Sequence, residues 1–159
     1  MSRAAAGLVH PVPLVAMLVL ALNDHWAKAA FPGLVTGKVS DFAGLAFFPL
    51  LLQAGWEVAL RRPASHRVLR RATVVTGLVF ALTKTWPPAN DAWAWALGVL
   101  QWPALAVARG QPAPVPVLAV CDPTDLVALP ALGLALWAGR GRGADAPAAT
   151  PAPPSPAGD

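Results

Sequence analysis

The residues in this sequence with chemistry to offer fall into four short clusters. Asn23, Asp24, His25 and Lys28 form the first, and Thr36, Lys38, Ser40 and Asp41 the second. Lys84, Thr85, Asn90 and Asp91 form the third, and Asp122, Thr124 and Asp125 the fourth. Each borders a long apolar run, where a lone charge costs several kcal/mol unless it pairs or meets water. Histidine is the side-chain type that changes charge near neutral pH, so His25 is the first candidate acid or base, with Asp41 next. Asn23, Asp24, Lys38, Lys84, Asp122 and Asp125 are the candidate ligand contacts or ion-pair core. His25 with the aspartates would suit a divalent cation, but three nearby lysines oppose one. Neither a metal nor a cofactor is expected. Mixed lysines and carboxylates fit a phosphate-bearing lipid head group, with Lys38 and Lys84 as point-charge contacts.

The same residue types also serve structure. Asp122 suits a helix N-cap, Pro123 the first helical position, and Asp125 the first turn. Ser40 and Asp41 could cap the second helix in the same way. Glu57 is spaced to pair with Arg61 one turn on.

The clusters are positioned by apolar segments. The chain has 159 residues, 56% of them hydrophobic and 13% charged, about half the usual charged share of a soluble domain. Segments long enough for a bilayer, roughly 17 to 25 residues, fall at about 11–30, 42–60 and 68–88, with a shorter one at 126–138. The fold expected is an all-α integral membrane protein of four transmembrane helices. The tryptophan-rich stretch 92–108, with Trp93, Trp95 and Trp102, reads as an interfacial helix or a fifth span. Residues 1–10 form a cytoplasmic N-terminus, and 139–159 a disordered Ala/Pro-rich tail. A signal peptide ending near Ala27-Lys28-Ala29 is the rival for the first span. It would leave three spans that contradict the arginine distribution.

Arginines set the orientation. Arg61, Arg62, Arg67, Arg70 and Arg71 crowd one short connection, which the positive-inside rule assigns to the cytoplasm. Arg3, Arg140 and Arg142 then share that side, and both termini are cytoplasmic. All four polar clusters fall on the opposite, outer face. A fifth span would move Arg140 and Arg142 outside, against the rule.

Shifting the chain by 60 residues aligns Leu18–Trp26 with Leu78–Trp86, identical at five of nine positions. A second echo links Ser40-Asp41-Phe42 with Thr124-Asp125-Leu126. Together they suggest two parallel helical-hairpin repeats, with sites tending to lie between the halves. Asp24 and Lys84 become equivalent positions that would face one another as an ion pair.

The pattern Asn23-Asp24-His25, then Gly37-Lys38-Val39-Ser40-Asp41-Phe42-Ala43-Gly44-Leu45, then Asp122-Pro123-Thr124-Asp125-Leu126 resembles uncharacterised small polytopic membrane proteins of high-GC bacteria. The resemblance reaches to about Ala138 and implies the membrane class, with no activity attached. The function expected is an inner-membrane protein with a polar site at its outer face that binds or processes a lipid-phosphate-type ligand. A non-catalytic scaffold or assembly subunit and a small ion or proton transporter are the alternatives, so enzyme status stays open. Membrane lipid is the expected partner, with a membrane protein or a second copy as further candidates; nucleic acid is not expected.

Overall fold

The computed structural model describes residues 8, 10–27, 30, 33–61 and 65–140, the side chains of Asp24 and Leu34 excepted. Most of the described residues are helical, with no strand among them. Helix α1 spans Pro11–Leu22 and continues as a π-helical turn over Asn23–Ala27. Helix α2 covers Leu34–Leu60, α3 His66–Thr85 and α4 Pro87–Arg109. A 3₁₀ helix over Pro123–Ala131 runs directly into α5, Leu132–Arg140. The expected N-terminal segment (but for Leu8 and His10) and the tail beyond Arg140 lie outside the described residues.

Local chemistry explains most boundaries. His10 caps α1 by accepting the Val12 N–H at 3.2 Å, and Ser65 caps α3 by accepting that of Arg67 at 3.3 Å. Helix α2 begins two turns earlier than the expected residue 42, because Gly33 is extended and the Thr36 hydroxyl donates to its carbonyl at 2.9 Å. Ser40 and Asp41 therefore lie inside the helix, which removes their capping role. At the other end Arg61 takes the left-handed conformation and closes α2. Arg61 is exposed while Glu57 is buried, and the expected pair between them does not form. The change of helical phase at Arg61 carries its side chain off the face that Glu57 occupies.

Helix α2 is the hub, packing against α1, α3, the 3₁₀ helix and α5. Its neighbours approach closely because the buried face is built from small side chains: Ala43, Ala46, Ala128, Ala131, Ala135 and Ala138. Large apolar residues such as Leu18, Val35, Leu78 and Leu100 are exposed instead. Over Val35–Leu60 the mean hydropathy reaches 1.4, and this one helix among the described residues is long and apolar enough to cross a membrane. Helix α3, with Arg67, Arg70, Arg71 and Lys84, is more polar and amphipathic.

The stretch 92–108 is helical, within α4, and packs chiefly on α3. From Gly110, whose φ of +65° suits glycine, the chain turns back along α4 without regular structure. Val117 N–H donates to the Ala94 carbonyl at 3.1 Å and the Trp102 indole N–H to that of Gln111 at 3.1 Å. Gly98 permits this return, since a Cβ there would lie 2.0 Å from the Val115 carbonyl oxygen. Gly98→Ala is expected to release the 110–121 segment, raising its rate of proteolytic cleavage and lowering the unfolding midpoint. Gly55→Ala, inside α2 with open space at its Cβ position, should leave cleavage unchanged and stabilise by about 0.5–1 kcal/mol.

Candidate functional site

The polar clusters meet where the C-terminal end of α3, the N-terminal half of α2 and the start of the 3₁₀ helix converge. Lys84 is the centre. Its Nζ lies 2.7 Å from Asp125 Oδ2 and 3.0 Å from Asp41 Oδ2. The first contact is a hydrogen bond; the second is an ion pair, and that Asp41 oxygen has no hydrogen-bond partner. Phe80, one turn earlier on α3, places its ring 5.5 Å below the same ammonium, a cation–π distance. Asp125 uses its other oxygen for Lys38 Nζ at 2.8 Å, and Lys38 also donates to the Thr124 hydroxyl at 2.8 Å. Two lysines and two carboxylates thus form one chain of ion pairs, Asp41–Lys84–Asp125–Lys38.

The four side chains differ in burial. Asp125 is 9% exposed at its side chain, Lys84 15%, Asp41 18% and Lys38 30%. Lys38 is the member that presents its ammonium outward, with a third donor to spare beyond Thr124 and Asp125.

A second bridge joins α1 to α2. Asn23, 5% exposed, donates through its amide nitrogen to the Thr36 carbonyl and the Ser40 hydroxyl, each at 2.7 Å. It sits where the α-helix widens into the π turn, a geometry frequent at functional positions. His25 lies on the same turn, exposed, and takes part in none of these contacts. The Asp24 side chain lies outside the described residues, so the expected Asp24–Lys84 pair is neither drawn nor displaced; the partners Lys84 has are Asp41 and Asp125. Those two are the residues matched by the second sequence echo.

Asp122 holds its place at the N-cap of the 3₁₀ helix, accepting the Thr124 N–H at 2.9 Å. That bond to the backbone holds its carboxyl below the usual carboxylate range. Asn90 staples the α3–α4 corner by donating to the Thr83 carbonyl at 3.0 Å, and the Cys121 thiol reaches the Lys84 carbonyl at 3.4 Å. Among the described residues no three His, Cys, Asp or Glu side chains gather as a metal-binding group. The two carboxylates that do meet are each engaged by lysine.

Reading the sequence for single pairs missed the doubled bond to Asp125 and the Asn23 bridge. The Ser40-Asp41 and Thr124-Asp125 echo was the available signal, since it marked two carboxylates for a common environment. No protein-family model, curated protein or solved structure matches this chain.

Lys84 neutralises two carboxylates at once, so its removal should cost more than its removal together with theirs. Lys84→Met is expected to destabilise by about 3 kcal/mol or more, read as a lower unfolding midpoint in detergent. Lys84→Met with Asp41→Asn and Asp125→Asn should recover most of that loss. Asp122→Ala should lower the midpoint at neutral pH and make no difference in strong acid. A depressed carboxyl stabilises above its unfolded range and loses that effect as pH falls through its folded value.

Proposed function

We propose that the chain is a polytopic inner-membrane protein with four crossings, both termini cytoplasmic, whose outer polar site binds the phosphate of a lipid head group. The observation that carries this reading is the continuous ion-pair chain from Asp41 to Lys38, which ties three helical segments together on the side away from the arginine-rich connection.

Several features support the membrane placement. Small residues inside and large apolar residues outside are the arrangement a lipid solvent favours, where helices associate through close packing. Asp41 and Arg61 are twenty residues apart on α2, roughly 30 Å at 1.5 Å per residue, about the thickness of a hydrocarbon core. The last crossing looks short at 126–138, but the helical run there extends over 123–140 and begins with nine 3₁₀ residues. At about 2.0 Å per residue, followed by nine α-helical residues, it spans roughly 31 Å.

Backbone chemistry separates the two readings of the 92–108 stretch. If α4 crossed the bilayer, the segment 110–122 would have to cross back as an irregular chain, with Leu118 96% exposed. Lipid-facing irregular backbone does not occur in the hydrocarbon layer. An interfacial α4 at the outer face avoids that cost, keeps Cys121 beside Lys84, and leaves Arg140 and Arg142 cytoplasmic.

Lys38 is the residue suited to a head-group phosphate, as the least buried of the four charges, with a donor beyond its two hydrogen bonds. The scaffold reading rests on the same ion pairs, because the four charges already satisfy one another. The two differ at Lys38. Lipid binding predicts that the purified protein retains phosphatidylglycerol over phosphatidylcholine in native mass spectrometry, and that Lys38→Gln abolishes the preference with the unfolding midpoint little changed. Equal retention of both lipids by the wild type, or a preference that survives Lys38→Gln, would leave the scaffold reading in place.

Topology is tested separately with single cysteines at Gly33, Asp91, Ala113 and His66 in a Cys121→Ala background. The first three should label from the outside, and His66 after permeabilisation alone. Labelling of Ala113 from the cytoplasmic side would make α4 a crossing and overturn the four-span arrangement.

A further inference from the structure

The inner end of α2 carries two polar side chains that nothing in the outer site uses. Gln53 and Glu57 are 4% and 3% exposed. One turn apart, they occupy a single face of the helix, on the buried stripe that also holds Leu45 and Pro49. The Gln53 amide nitrogen donates to the Ser65 carbonyl at 3.4 Å, which leaves its oxygen as an acceptor. That oxygen, Gln53 Oε1, and Glu57 Oε1 are both fully enclosed and have no hydrogen-bond partner. Two buried acceptors without a donor are costly, because each has given up water with nothing in return.

Among the described residues the surrounding charges do not supply the donor. On α3, His66, Arg67, Arg70 and Arg71 are exposed, as are Arg61 beyond α2 and Arg140 at the end of α5. None forms an ion pair with Glu57. His10, below α1, packs edge-on against Trp137 with ring centres 5.6 Å apart. The packing nearby is apolar: Leu50, Leu69 and Ala138 form the adjoining cluster.

We propose that Gln53 and Glu57 form a proton-binding site at the inner end of the bundle, in which Glu57 holds an exchangeable proton and donates it to Gln53 Oε1. A single proton answers both deficits, turning one acceptor into a donor for the other. No second ligand is required, and the site is independent of whatever the outer face binds. It also places a proton-carrying acid and the Asp41–Lys84–Asp125 chain at opposite ends of one buried stripe of α2.

A hydrophobic carbodiimide tests this on the full-length protein. The carboxylic O–H adds across one C=N bond, oxygen to carbon and proton to nitrogen, and an oxygen-to-nitrogen acyl shift leaves a stable N-acylurea. An ionised carboxylate does not start the reaction. Treatment with dicyclohexylcarbodiimide at pH 6, followed by peptide mass spectrometry, is expected to place the adduct on Glu57. Asp41 and Asp125 should be unlabelled. Labelling should fall severalfold as the pH is raised to 10, and Glu57→Gln should abolish it while keeping the unfolding midpoint at or above wild type, since the amide N–H₂ supplies the same donor. Absence of a Glu57 adduct at pH 6 would overturn the proposal, as would labelling indifferent to pH. Protection by sodium chloride but not choline chloride would assign a metal cation to the site and overturn it equally.

Discussion

One ammonium group decides how this chain closes. Lys84 sits at the end of α3, and its two carboxylate partners come from α2 and from the 3₁₀ helix, which are separated in sequence by the whole of α3, α4 and the return segment. Apolar packing could bring these elements together in many registers, because alanine faces slide past one another at little cost. The Asp41–Lys84–Asp125 contacts permit one. Charge pairs in an apolar setting are weak evidence for net stability, since desolvation opposes the Coulombic gain. Their strength lies in selection, because any other register would strand two acids and a base.

That constraint explains an otherwise expensive feature. A nine-residue 3₁₀ helix has poorer hydrogen-bond geometry than an α-helix and is rarely so long. Winding Pro123–Ala131 more tightly advances the chain farther per residue. This lets Asp125 reach Lys84 at one end while Gly139 packs against Leu69 at the other. An α-helix of the same sequence would fall several ångströms short, as the apolar length of the 126–138 segment implies. The Asp122 cap and Pro123 start the tight winding, and Pro130, which has no N–H to donate, does not oppose it.

Much of this was legible in the sequence, and the remainder was not for definable reasons. The helical segments and the role of Asp122 follow from apolar length and cap chemistry, which are local. The start of α2 was missed because Thr36, Lys38, Ser40 and Asp41 look like a polar linker. They are instead the polar face of two further turns, each side chain having a partner on another element or on the preceding turn. The Glu57–Arg61 spacing was correct for a continuous helix and failed because the helix stops at Arg61. The partners of Lys84 were approached through the repeat, which grouped Asp41 with Asp125 but could not say that both would meet one lysine. That is a three-body fact, and pairwise alignment of a chain with itself carries pairs.

The return segment after α4 shows how physical cost can carry topology further than hydropathy. By length α4 could span a bilayer, but among the described residues Val35–Leu60 alone is both long and apolar enough. Residues 110–122 bear on the proposed topology: Pro112, Pro114 and Pro116 cannot donate hydrogen bonds, and Val115, Leu118 and Val120 are exposed on a largely unpaired backbone. Water tolerates such a chain and hydrocarbon does not. On the proposed membrane reading, a helix whose route back is that segment sits with it at the interface. There its tryptophans, Trp93 and Trp95 among them, have the apolar body and polar edge that such a position rewards.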